Sequence, residues 1–140
     1  MGDIAVRFAV QSDLDFVSDG GHVSGEIVAR KIDLNEVIIA EVEGESAGYL
    51  RLEYLWSLVP YIALIWVAPE RRKRGVGRAL LAFAGEYLRQ SGHDVLYSSS
   101  QADEPEPQAW HRRVGFEECG IIAGINEGGV GEVFFRKHLN

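Results

Sequence analysis

Residues 61–67, Tyr-Ile-Ala-Leu-Ile-Trp-Val, form a nearly continuous apolar run, the pattern of a strand covered on both faces. The run breaks at Pro69 into four consecutive cations, Arg71, Arg72, Lys73 and Arg74, followed by Gly75 and Gly77. Val76, Leu80, Phe83, Ala84, Tyr87 and Leu88 then recur at helical spacing, and Ser91-Gly92 ends the helix. Residues 95–98 return as a strand. A strand–helix–strand unit of this kind places its two strands parallel through a right-handed crossover. Gly85 inside the helix costs about 1 kcal/mol relative to Ala, so a close helix-on-sheet contact is expected there.

The remaining elements arrange themselves around this unit. Ile4, Val6, Phe8 and Val10 alternate as a first strand over 4–10, and Ser12-Asp13 offers the N-cap of a short helix stopping at Gly20 and Gly21. Val23, Ile27 and Ile32 predict a second helix over 22–33, placed to line a substrate entrance. Strands are expected over 37–42 and 47–55, joined by a polar turn at 43–46. Residues 99–108, with Pro105 and Pro107, read as a loop leading to a short helix that begins near Pro107, spans 109–114 and is closed by Gly115. Strands over 116–122 and 130–138 complete one domain spanning 1–140.

With 46% hydrophobic residues in 140, the chain can bury a real core. A net charge of −7 opposes general nucleic-acid binding, because the long-range field repels phosphate. No apolar run reaches the 18 or so residues that span a bilayer, and Met1-Gly2-Asp3 lacks the features of a secretory leader; a cytoplasmic protein without membrane partners is expected. Cys119 has no disulfide partner and is expected to pack inside a strand. His22, His93, His111 and His138 are too scattered for a metal motif, so no metal is assigned.

Against the acidic background the basic loop is a local exception with a chemical meaning. A helix N-terminus presents unpaired amides and the positive end of the macrodipole. Gly75 and Gly77 open the backbone to a phosphate, and Arg72, Lys73, Arg74 and Arg78 can add charge-assisted contacts. The loop lacks both the P-loop order and the dinucleotide Gly-x-Gly-x-x-Gly pattern.

Buried strand, Val67-x-Pro69-Glu70, Arg72-Lys73-Arg74-Gly75-Val76-Gly77 and amphipathic helix together resemble the GCN5-related N-acetyltransferase (GNAT) family, as does Trp110-His111-Arg112-Arg113-Val114-Gly115-Phe116 near the C-terminus. The resemblance covers essentially the full chain. It implies an α+β fold, an α/β/α sandwich whose mixed, mostly antiparallel sheet holds a splayed parallel strand pair beside about four helices. It also implies acetyl-CoA as donor, its pyrophosphate on residues 72–78 including Val76, and its pantetheine arm along the backbone of Ile65, Trp66 and Val67.

Such a reaction needs a neutral amine, a donor to the oxyanion and a proton for the leaving thiolate. A lysine-like amine of pKa about 10.4 is almost fully protonated at pH 7, so a base is required. By resemblance the Val67 amide meets the oxyanion. The family's acid is a tyrosine four residues before the glycine of Gly-Phe, where this chain has His111, which imidazole chemistry also suits. Residues 61–67 contain no carboxylate, leaving Glu53 and Glu104 as candidate bases. Tyr54, Trp56 and Tyr61 are candidate walls of an acceptor pocket. The expected partners are acetyl-CoA and a small amine or peptide, with sheet edges that would allow a homodimer. The rival readings are a non-catalytic acyl-CoA sensor and an interaction module.

Overall fold

The computed structural model describes residues 2–20 and 22–140. Met1 and Gly21, the latter part of the expected helix stop, lie outside the described residues. Seven strands, β1 (Ile4–Phe8), β2 (Val37–Val42), β3 (Glu45–Leu55), β4 (Val59–Val67), β5 (Val95–Gln101), β6 (Glu117–Ile122) and β7 (Glu132–His138), form one sheet in the order β1-β2-β3-β4-β5-β7-β6. Among the described residues only the β4–β5 pair is parallel. The helices are α1 (Leu14–Val17), α2 (Gly25–Asp33), α3 (Val76–Gln90) and α4 (Pro105–Arg113).

The apolar strands explain the layers. Alternate residues of β2 and β3 point to opposite faces, and both faces are covered. Ile38, Leu50, Leu52 and Ile62 pack with Val76, Leu80, Ala84 and Leu88 of α3; Val37, Ile39 and Tyr49 pack with Val17, Val28 and Ile32 of α1 and α2. The result is the sandwich that the resemblance implied.

Several boundaries differ from expectation for identifiable reasons. The first strand stops at Phe8 because the Asp13 carboxylate accepts from the Val10 amide at 2.8 Å and pulls the chain out of the ladder. The β2–β3 turn tightens to Glu43 and Gly44, with φ of 53° and 79°, since two positive φ values suit the twist of a two-residue hairpin. β5 runs to Gln101 because Ser99, Ser100 and Gln101 pair with Phe134, Val133 and Glu132, so a ladder overrides their loop-like composition.

Other expectations are corrected. Cys119 is exposed, not packed, because β6 is an edge strand with no covering layer. Gly85 approaches Leu139, whose Cδ2 lies 3.4 Å from where a Cβ would stand, rather than the sheet. Trp56 is 83% exposed at the far β3–β4 turn, and Tyr54 packs beside His93 against the α3-side core; neither shares a wall with Tyr61.

Candidate functional site

β4 carries the irregularity that shapes the site. Arg51 opposes Leu64 while Leu52 opposes Ile62, leaving Ala63 as an extra residue. That bulge turns the strand so that Ile65 and Val67 pack toward α3 while Leu64 and Trp66 pack toward α1 and α2. Gly48, opposite Val67, permits the close approach: a Cβ there would stand 2.8 Å from the Trp66 carbonyl oxygen.

β4 and β5 share one register pair, Tyr61 with Tyr97. Beyond it they part into an opening, and among the described residues no register pair joins the edge of β4 over Ile65, Trp66 and Val67 to β5. At its end Arg72 Nε donates to the Val67 carbonyl at 2.8 Å, tying the basic loop to the strand.

Gly75 caps α3 in a left-handed conformation, φ 88°, with no side-chain cap. The first helical bond runs from Ala79 N to Gly75 O at 3.0 Å, so the amides of Val76, Gly77 and Arg78 precede the intrahelical ladder. Gly77 lies beneath Trp110, 3.5 Å from its ring at the Cβ position, which docks α4 on this end of α3. Arg71 pairs with Glu45 at 2.9 Å. Among the described residues Arg72, Lys73, Arg74 and Arg78 form no ion pair. Arg74 also lines a hollow of about 170 Å³ with Ile4, Val42, Glu43 and Arg71. A larger hollow of about 460 Å³ lies along α3, lined by Arg78, Leu81 and Leu139. The opening therefore combines unpartnered strand edge, helix N-terminus and free cations, which suits an extended ligand ending in phosphates.

His111 is buried at 3% exposure. Its Nδ1 lies 2.7 Å from the Pro107 carbonyl, which can only accept, so Nδ1 carries the proton and Nε2 accepts from the Ser98 hydroxyl at 2.7 Å. The ring stacks on Phe135 at 4.5 Å, and burial pushes its pKa below the ordinary imidazole value. The Ser100 hydroxyl, on the same face of β5, is buried without a hydrogen-bond partner among the described residues.

On the opposite face Tyr61 Oη lies 2.6 Å from Ser99 Oγ, Ser99 donates to Glu132 at 2.6 Å, and Asn126 Nδ2 donates to the other Glu132 oxygen at 2.9 Å. Glu53 stands 4.0 Å from Lys31 Nζ, and Glu104 is exposed just before α4. Ser98, Ser99, Ser100 and Glu132 were not singled out by sequence; the run of serines was the one visible signal.

Residues 33–118 match the family model for the acetyltransferase (GNAT) domain. The chain belongs to the GNAT acetyltransferase family. This GNAT chain is 31% identical over 121 residues to the streptothricin acetyltransferase of Streptomyces lavendulae, covering 84% of its own length and 63% of the relative's. It is 36% identical over 105 residues to the aminoglycoside N(6')-acetyltransferase type 1 of Stenotrophomonas maltophilia, covering 69% and 62%. It thus spans less than two thirds of either curated relative. The structure of YncA from Salmonella typhimurium with its cofactor acetyl-CoA superposes with a TM-score of 0.82 at 16% identity, over 98% of this chain and 94% of that one. No helix among the described residues is long and apolar enough to cross a membrane.

Proposed function

We propose that this GNAT domain is an N-acetyltransferase that moves the acetyl group of acetyl-CoA directly to the amine of a small cationic acceptor. The observation that carries the reading is the parting of β4 and β5 beside the Gly75-capped end of α3. There the pantetheine amides would pair with the edge of Ile65, Trp66 and Val67. The pyrophosphate would lie on the amides of Val76, Gly77 and Arg78, with Arg72, Lys73, Arg74 and Gly75 completing the cradle. A backbone amide at the end of β4, Val67 in the family pattern, would meet the oxyanion.

His111, the expected acid, has both nitrogens engaged and a depressed pKa. In this reading it acts in the neutral form, holding the Ser98 hydroxyl toward the donor side. Glu53, half-exposed beside Lys31, and Glu104, exposed to solvent, attract the acceptor's positive charge, and the net charge of −7 works in the same sense. The names of the relatives add streptothricin-like and aminoglycoside-like amines as the acceptor class.

Calorimetry with acetyl-CoA and desulfo-CoA, followed by thiol release with streptothricin, kanamycin, spermidine and a lysine peptide, tests the reading. Saturable binding with amine-dependent thiol release is expected. Binding without release favours the sensor, and no binding at low salt overturns the donor site.

A further inference from the structure

The sheet carries a hydrogen-bonded chain that the donor site does not use. It joins β4, β5 and β7 where β4 and β5 part, and every proton in it can be assigned. Glu132 as a carboxylate only accepts, so the Ser99 proton points to it across 2.6 Å. Ser99 Oγ must then accept from Tyr61, 2.6 Å away. The Tyr61 proton is thereby committed inward, and its oxygen offers the opening only acceptor capacity. A group placed there must be a donor.

The surroundings hold this arrangement fixed. Asn126 Nδ2 occupies the second Glu132 oxygen at 2.9 Å, and the Tyr61 ring stacks on Phe134 with centroids 5.8 Å apart. Tyr61 is paired with Tyr97, yet its hydroxyl reaches Ser99, two residues farther along β5 and toward the parting. Ser98 and His111 lie on the opposite face, so the chain approaches the β4–β5 opening from the side away from α4. No carboxylate lies on β4 itself.

We propose that Tyr61 takes the proton of the acceptor ammonium and passes its own through Ser99 to Glu132, supplying the base that β4 lacks. The inference rests on the acetyl-transfer reading above. Tyr61 is the catalytic residue, while Ser99 and Glu132 act through it. The ammonium loses one proton to Tyr61 Oη as the Tyr61 proton moves to Ser99 and the Ser99 proton to Glu132 Oε2. The free amine bonds to the thioester carbon, the C–S bond breaks, and the nitrogen's surplus proton goes to the departing sulfur. Glu132 then returns its proton to solvent. Burial raises the Tyr61 pKa, with Ser99 opposing and the Glu132 and Glu53 charges adding to the rise, so the phenol remains protonated and relays rather than ionises. The other charged groups near the path are Lys31 on α2, beside Glu53, and, across the sheet on α4, His111, which feels the Glu132 charge.

The test is kcat/KM for thiol release from acetyl-CoA between pH 6.5 and 9.5, using streptothricin, kanamycin and spermidine. Glu132→Gln is expected to lose about 100-fold at pH 7, a typical size for positioned proton transfer. The deficit shrinks to within about 3-fold near pH 9.5, where free amine becomes abundant. Ser99→Ala and Tyr61→Phe share that signature, Ser99→Ala/Glu132→Gln is no worse than either single variant, and Glu132→Asp recovers part of the loss. Acetyl-CoA affinity by calorimetry stays at the parent value in all of them. A loss equal at every pH, or none, overturns the relay. So does a parent that binds acetyl-CoA but acetylates none of the three amines, leaving the donor site standing; a parent that binds no acetyl-CoA removes both.

Discussion

The Ser98 hydroxyl donates to Nε2 of His111 across 2.7 Å, and both residues are buried. The ring is therefore held as a neutral acceptor between β5 and Pro107. Because burial depresses its pKa, the unfolded chain binds the proton more readily than the folded one, and stability rises with pH across that interval. The contribution is complete above the unfolded value of about 6.5 and is lost as pH falls through the lower folded value. Thermal melts from pH 7.5 to 5 should show Tm falling on acidification, with a smaller fall in His111→Asn. Ser98→Ala leaves Nε2 without its donor and should destabilise by about 1–3 kcal/mol in urea titration at pH 7.5.

Arg72 links the basic loop to β4 through the Val67 carbonyl and lies beside the proposed pyrophosphate cradle. Arg72→Ala should weaken desulfo-CoA binding about 10- to 100-fold in calorimetry, the equivalent of one charge-assisted contact of about 1.5–3 kcal/mol. Added salt should weaken the parent more than the variant. Unchanged affinity would remove Arg72 from the site.

Gly75 is held at φ 88°, where an L side chain costs about 1–2 kcal/mol. Gly75→Ala should lower stability by that amount and weaken desulfo-CoA binding as well, because the cap orients the first amides of α3. Chemical denaturation and calorimetry on the same sample read the two effects separately.

Gly48 lets β3 approach the bulged end of β4, where a Cβ would meet the Trp66 carbonyl oxygen at 2.8 Å. Gly48→Ala should destabilise by about 1–3 kcal/mol, as overpacking does, and should reduce acetyl-CoA affinity if, as proposed, the pantetheine arm pairs with that strand edge. Denaturation midpoints with and without acetyl-CoA measure both.

Cys119 is exposed on an edge strand. It should be fully alkylated by iodoacetamide in the native protein, and Cys119→Ser should change stability by less than about 0.5 kcal/mol. Protection of the thiol until unfolding would contradict its position.

The elements around the proposed donor site were legible because their signals are local. Residues 61–67, the cations, Gly75 and the helical spacing after it are neighbours in sequence, and backbone sterics and periodicity act over that range. The opposite side was not. Ser99 looked like loop because its strand exists only by pairing with β7, and Glu132 looked like one acidic residue among many.

By itself the sequence determined, through short-range pattern, most of the strands and helices and the crossover from β4 through α3 to β5, and its basic glycine motif carried the family resemblance that implied the layered α+β architecture. Only the tertiary structure decided that His111 is buried between Ser98 and Pro107, that Cys119 lies outside, and that Tyr61, Ser99 and Glu132 meet. Those three come from strands up to 71 positions apart, and their contact depends on a bulge, one register pair and the order of the strands, which long-range packing sets.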